Sequence, residues 1–237
     1  MKTLKTFFSV LILVFAFTSC EIEPLDSSIS VGSGSGATSS GDYWPTTINN
    51  KWTFQQNGVA QSPMKIIGSS TIGGALYYEF SPQGGSGGGA SANSVTTRLN
   101  KNGGNYNLKT DDLNINAGGL SGVQTGYTMI LLKDNIAVGE TWSGNYTQST
   151  TYTGIPALIT TTNYTGTILA KNVSATVNGE TFNDVIKMNL HQENNFSGTI
   201  TTADTEYWFA KNVGPIKTVT TSGGANYESI LIDYLIN

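Results

Sequence analysis

Polar and apolar residues alternate with a period of two along most of this chain. Ile186, Met188 and Leu190 interleave with Lys187, Asn189 and His191, and Trp52 and Phe54 flank Thr53. Successive side chains of a strand point to opposite faces, so these segments predict strands with one core face and one solvent face. Residues 76–80 and 95–99 are shorter β-rich runs, and 127–132 is an apolar run that predicts a strand buried on both faces. The Tyr- and Thr-rich stretches 141–152 and 159–170 predict long strands with one wet face. Residues 207–210, 216–221 and 229–236 bring the total to roughly eleven or twelve strands. Asn57-Gly58, Asn102-Gly103-Gly104 and Asn178-Gly179 mark tight turns between them, and Gly139 and Gly214 sit where the chain must turn. No window carries a helical period. The fold expected is all-β, a mainly antiparallel meander curled into a half-barrel, barrel or sandwich.

Residues 1–19 break this pattern. Lys2 and Lys5 precede an apolar run over 7–17 that only Ser9 interrupts. Such a run spans roughly half of a hydrocarbon core, short for a transmembrane helix and suited to a signal peptide. The junction Phe17-Thr18-Ser19-Cys20 resembles the lipobox of bacterial lipoproteins, with Phe17 where Leu is commonest. That resemblance implies cleavage after residue 19, a diacylglycerol thioether on Cys20 and an acylated amine. Two or more acyl chains of the palmitate type anchor a protein stably where one is marginal. Cys20 is the only cysteine, and lipidation accounts for a lone thiol in an exported chain. The partner implied is the membrane, reached through the acyl anchor on Cys20, and the localisation implied is the outer membrane of the cell envelope.

Residues 20–41 are Ser- and Gly-rich and read as a flexible tether. Glu21, Glu23 and Asp26 stand behind Cys20, as in a loose surface-export signal or a solvated spacer, so periplasm-facing and surface-exposed orientations both stay open. Residues 42–237 are long enough for one all-β domain. The Gly-rich stretch 83–93 lies between two strand-like runs and reads as a loop within it.

Charge and chemistry narrow the function only by exclusion. Charged residues make up 12% of the chain, and 12 basic against 16 acidic residues give a net charge of −4. That balance argues against nucleic acid as a partner. One His and one Cys supply neither a zinc ligand set nor a nucleophile–base pair. His191 falls on the polar face of its strand beside Glu193, the position of a solvent-facing histidine. Asp111, Asp112, Asn114 and Asn116 place oxygen ligands near one another, the best calcium candidate. The run departs from an EF-hand loop at Ala117 and Val123, where Gly and Glu are needed, and Leu113 and Ile115 suggest an edge strand instead. No catalytic, metal or cofactor site is assigned, and an enzyme with paired carboxylates is the minority reading. Trp52, Trp142 and Trp208 are expected to pack in the core. The 11 Tyr and 4 Trp among many Asn and Thr suit either a carbohydrate-binding surface or a wet antiparallel sheet.

Four segments carry a wider resemblance. They are Tyr43-Trp44-Pro45 leading to Asn50-Lys51-Trp52-Thr53-Phe54; Leu132-Lys133-Asp134-Asn135 leading to Val138-Gly139-Glu140-Thr141-Trp142; Thr176-Val177-Asn178-Gly179-Glu180-Thr181-Phe182 leading to Val185-Ile186-Lys187; and the run from Tyr207 to Lys217. Their order and spacing resemble a group of small, uncharacterised Bacteroidota lipoproteins of the outer membrane. The resemblance implies an all-β fold and brings no activity, so only Cys20 takes a role from it. Three functions are carried forward. The first is a non-catalytic binding module for glycan or protein, using exposed aromatic rings. The second is a carrier or chaperone of apolar ligands, which needs a deep cavity lined by Ile, Leu, Met and Phe. The third is a glycan-active enzyme, which needs converging titratable groups.

Overall fold

Asn and Gly punctuate the chain into antiparallel strands. Asn57 and Gly58 have φ of 48° and 84°, and Asn178 and Gly179 have 49° and 80°, the paired left-handed conformations of two-residue hairpins. The computed structural model describes residues 38–84, 94–117 and 120–237; the signal segment, Cys20 and most of the tether lie outside the described residues, as does most of the 83–93 loop.

The strands are β1 (Lys51–Gln56), β2 (Val59–Ala60), β3 (Met64–Ile72), β4 (Ala75–Phe80), β5 (Gln83–Gly84), β6 (Ser94–Val95), β7 (Thr97–Asn102), β8 (Asn105–Thr110) and β9 (Leu113–Ala117). They continue as β10 (Leu120–Gln124), β11 (Thr128–Lys133), β12 (Thr141–Tyr152), β13 (Ile155–Val177), β14 (Glu180–Phe196), β15 (Thr199–Ala210), β16 (Gly214–Ser222) and β17 (Ala225–Leu235). Fifteen of them form one antiparallel sheet in the order β11-β8-β7-β4-β3-β1-β17-β16-β15-β14-β13-β12-β10-β9, with β2 paired to β1; β5 and β6 form a separate ribbon. The strands beyond the eleven or twelve read from the pattern include two-residue pairings too short to show an alternation.

The sheet curls on itself. Phe80 of β4 and Phe209 of β15 both meet the Trp44 ring, at 5.4 and 5.9 Å between centroids. Trp52, Ile66, Leu99, Leu132, Ile168, Ile186 and Met188 are fully buried around them; each such side chain contributes about 1.5–3 kcal/mol by leaving water. Trp52 and Trp142 are thus core residues, as expected. Between Ile168 and Ala175 the β13–β14 ladder shifts register three times. These bulges bend the hairpin so that Phe182 packs against Tyr234 at 6.2 Å.

The sheet does not close into a barrel. β11 and β12 adjoin in sequence and in space, yet no ladder joins them. Two side chains bridge the seam instead. The Trp142 indole N–H donates to the Ile130 carbonyl at 2.9 Å, and the Ile130 N–H donates to the Tyr164 hydroxyl at 3.1 Å. Both rings lie over glycines, since Trp142 pairs with Gly166 and Tyr164 with Gly144. A Cβ at either glycine would fall inside the facing ring. The expectation that 127–132 is buried on both faces is corrected accordingly. Met129, Leu131 and Leu132 are buried, but Thr128 is exposed and Ile130 half-buried, because β11 is an end strand covered by side chains rather than by another strand.

A strap leads into the domain. Asp134 is fully buried, and its carboxylate accepts hydrogen bonds from the Ser39 hydroxyl, the Ser40 N–H and the Tyr106 hydroxyl. Lys101 Nζ binds both oxygens of Asp42 at 2.9 Å, and Tyr43 and Trp44 then enter the core. The strap therefore enters at the end of the sheet that carries the turns at Gly103-Gly104 and Asn212. The turns at Gly154, Gly198 and Gly223-Gly224 form the opposite end.

Candidate functional site

From Lys187 onward, β14–β17 carry their acidic and basic side chains on one face. Lys187, His191, Glu193, Asp204, Glu206, Lys217 and Glu228 stand on the outer face, set there by the same alternation that turns Met188, Leu190, Tyr207 and Phe209 inward. Toward the end opposite the strap charge thins out and is confined to the outer face. Residues 113–132, 141–170, 194–203 and 218–227 contain no Asp, Glu, Lys, Arg or His, and the register brings much of these segments together in one wing of the sheet.

Along the inner face of this wing the chemistry changes row by row. One row across the strands is Met188, Tyr207, Thr218 and Ser229; the next is Leu190, Thr205, Thr220 and Tyr227. Beyond it come Tyr164, Gln192, Ala203 and Ser222, then Tyr146, Thr162, Asn194 and Thr201. Apolar packing thus gives way to hydroxyls and amides. The inner members pair with one another. Thr205 and Thr220 share a hydrogen bond at 3.0 Å, the Thr162 hydroxyl donates to Asn194 Oδ1 at 2.7 Å, and Gln192 Nε2 donates to the Tyr146 hydroxyl at 3.1 Å. Tyr146 also stacks on Tyr127 at 4.3 Å. Thr162, Thr205 and Thr220 are buried, whereas Gln192, Asn194, Ala203, Ser222 and Tyr227 are half-exposed. These residues form the open, uncharged part of the curled sheet's inner face, a trough in that sense alone. Tyr207, half-exposed beside it, has a hydroxyl desolvated enough that burial pushes its pKa up to about 12.

The outer face holds the titratable groups. His191 Nδ1 lies 3.0 Å from Asp204 Oδ1, and its Nε2 is 4.0 Å from Glu193. Asn189 donates to the same Asp204 oxygen. The Asn189 amide holds the Asp204 carboxyl below its ordinary range; burial opposes it, and the His191 contact adds to the lowering. The histidine is solvent-facing, as its strand position implied. Its partner Asp204 was not singled out from the sequence, although the Ser197-Gly198 turn would set the register that pairs 191 with 204. Trp208 also stands on this face, half-buried and packed against the margin of the core, so its expected core role holds only in part. Lys187 Nζ sits 3.6 Å from the Trp208 ring centroid, Lys217 Nζ lies at 5.1 Å, and the indole N–H donates to Glu206 at 2.6 Å. In Tyr207-Trp208-Phe209 every residue is aromatic, so alternation alone cannot say which of them face the core.

The two acids of the oxygen-rich run at 111–116 are taken up by separate protein partners. Asp111 pairs with Arg98, Asp112 accepts the Gly126 N–H at 2.7 Å, and Leu113 begins edge strand β9. Among the described residues no group of three or more His, Cys, Asp or Glu is placed to hold a metal ion. A shallow depression of about 160 Å³ lies between Asn178, Glu180 and Asp233. A second, more open one of about 570 Å³ is lined by Ile115, Val123, Thr151 and Tyr152 among others. Neither is the deep Ile-, Leu-, Met- and Phe-lined cavity that an apolar carrier needs. Cys20 lies outside the described residues.

No protein-family model matches the chain, and no curated protein does. Two crystal structures share its fold. One is a proposed lipoprotein from Parabacteroides distasonis, with a TM-score of 0.57 and 14% identity, covering 82% of this chain and 99% of that one. The other is a proposed exported protein with a YmcC-like fold from Bacteroides fragilis, with a TM-score of 0.53 and 9% identity and the same two coverages. At these identities the likeness concerns the fold.

Proposed function

We propose that the chain is a lipid-anchored lipoprotein of the cell envelope, held on the outer membrane through Cys20, whose β-domain binds its ligand without transforming it. The observation that carries the binding reading is the segregation of charge. From Lys187 onward β14–β17 keep their acidic and basic side chains on the outer face, and the open inner trough presents hydroxyls, amides and rings with no acid–base pair among them. The lipobox-like junction at Phe17–Cys20 supports the anchor, and the proposed lipoprotein and exported protein that share the fold agree with an envelope location. A tether of some twenty residues reaches at most about 70 Å and typically much less, which suits capture of a ligand near the envelope.

The test is to expose the purified protein to glycans and to fatty acids, following both retention and the mass of the recovered ligand. Retention with the ligand recovered intact supports a binding module. Chemical conversion that is abolished by replacing acidic residues sharing one cleft overturns it in favour of an enzyme.

A further inference from the structure

We infer that the uncharged inner trough takes a neutral, hydroxyl-rich chain, the chemistry of an uncharged oligosaccharide. This rests on the binding-module reading and names its ligand class. Three observations select that class. First, the rows that line the trough carry no ionisable group other than tyrosine, so ion pairing cannot drive recognition there and a polyanion or polycation finds no counter-charge. Second, the half-exposed groups are those that read hydroxyls. Gln192 uses its amide nitrogen on Tyr146, and Asn194 uses its amide oxygen on Thr162. Gln192 Oε1 and Asn194 Nδ2 have no protein partner among the described residues, leaving one acceptor and one donor in adjacent rows. Ser222 and Tyr227 flank them on β16 and β17; the Ser222 hydroxyl donates to the Thr202 carbonyl at 3.2 Å and keeps its acceptor capacity, and Tyr227 adds a hydroxyl and a ring.

Third, the trough lies in the middle of the sheet. Gln192, Asn194 and Ala203, on β14 and β15, are paired on both sides, whereas Thr201 is paired only with Asn194. The backbone N–H and C=O groups of Gln192, Asn194 and Ala203 are consumed by the ladders, which leaves an extended peptide only the short free edge of β15 at 199–202, too little for strand addition along the trough. A fatty acyl chain would find Ala203 and Phe196 among hydroxyls and amides, too little apolar lining to repay desolvating that polar surface. A sugar ring, with an apolar face and a rim of hydroxyls, matches a surface built from a tyrosine ring and side-chain hydrogen-bonding groups.

The experiment uses the full-length chain in a polyoxyethylene detergent, which carries no sugar. Neutral hexasaccharides of glucose, mannose and N-acetylglucosamine are titrated calorimetrically beside a hexauronate and an extended peptide. At least one neutral hexasaccharide should bind, with an affinity unchanged between low and high salt. Gln192→Ala with Asn194→Ala should weaken binding about tenfold or more. Thr201→Arg, at an exposed position of the same row, should abolish it without touching the core, and Lys187→Ala on the outer face should leave it unchanged. Salt-dependent binding of the hexauronate alone, binding of the peptide alone, or neutral binding that survives both trough variants overturns the ligand class while leaving a binding module. The failure of every probe to bind overturns it as well. Cleavage of a hexasaccharide would instead overturn the module reading itself.

Discussion

If side chains hold the seam between β11 and β12, removing their contacts should loosen the whole sheet. Ile130 is the residue at stake, since its carbonyl accepts from Trp142 and its N–H donates to Tyr164. Tyr164 is 6% exposed, so Tyr164→Phe leaves the Ile130 N–H facing protein with no acceptor. A buried donor stripped of its partner costs about 1–3 kcal/mol; with Ile130 half-buried, about 1–2 kcal/mol is expected. Gly166→Ala attacks the same seam from behind. Its φ is not left-handed, so the cost is the collision of the new methyl with the Trp142 ring, about 1–3 kcal/mol for overpacking. Both variants act through Ile130, and with Trp142→Phe as a partner the double-mutant cycle should show a coupling above about 0.5 kcal/mol. Urea unfolding of the full-length chain measures the stabilities, and amide hydrogen exchange should quicken at Ile130 before it does at Met188. If Tyr164→Phe and Gly166→Ala both stay within about 0.5 kcal/mol of the parent, the side-chain seam is not what holds β11 against β12.

Three further outcomes are expected. A chain that starts at Asp42, lacking Ser39 and Ser40, should be less stable than one that starts at Thr38 by about 2–4 kcal/mol in urea, because the buried Asp134 carboxylate loses two of its donors; equal stability would show the strap to be ornamental. In a carboxyl-detected NMR titration, Asn189→Ala should raise the Asp204 midpoint toward the ordinary value of about 3.9. The sign follows from a folded pKa lying below the unfolded one, so the stability this pairing adds is present above about pH 4 and is lost as pH falls through the folded value. Tyr207 should resist ionisation in a spectrophotometric titration until about pH 12. An unfolded tyrosine ionises near pH 10, so stability should fall as pH rises above that value, and Tyr207→Phe should remove part of this alkaline sensitivity.

The all-β class and most of the turns were legible because they depend on neighbours in sequence. Asn57-Gly58 and Asn178-Gly179 specify hairpins locally, and Ile186, Met188 and Leu190 declare a core face by alternation alone. What the pattern misjudged depends on contacts far along the chain. The 127–132 run looked doubly buried because apolar residues cannot say whether a strand or a pair of aromatic side chains covers them. Trp208 looked like full core because its neighbours are aromatic too, and only the register with Lys187 and Lys217 places it on the outer face, at the core's margin. The trough was only partly legible. Its Tyr, Thr and Asn composition suggested a carbohydrate surface, but four uncharged segments spread between residues 113 and 227 meet only through a register set by the turns at Gly154, Gly198 and Gly223. Asp134 gave no local sign of its role, since the Ser39 and Ser40 groups it binds lie more than ninety residues earlier.

Envelope attachment through Cys20 is the premise on which a membrane-proximal binding domain depends, and it is open to one decisive measurement. Cells expressing the parent chain or Cys20→Ser are fed a clickable fatty acid, fractionated, and assayed for label on the protein and for its presence in the outer-membrane pellet. The parent should be labelled and should pellet with outer membranes, while Cys20→Ser should be unlabelled and should leave the membrane fraction. A Cys20→Ser chain that is still labelled and still pellets with the outer membrane would contradict the lipoprotein reading.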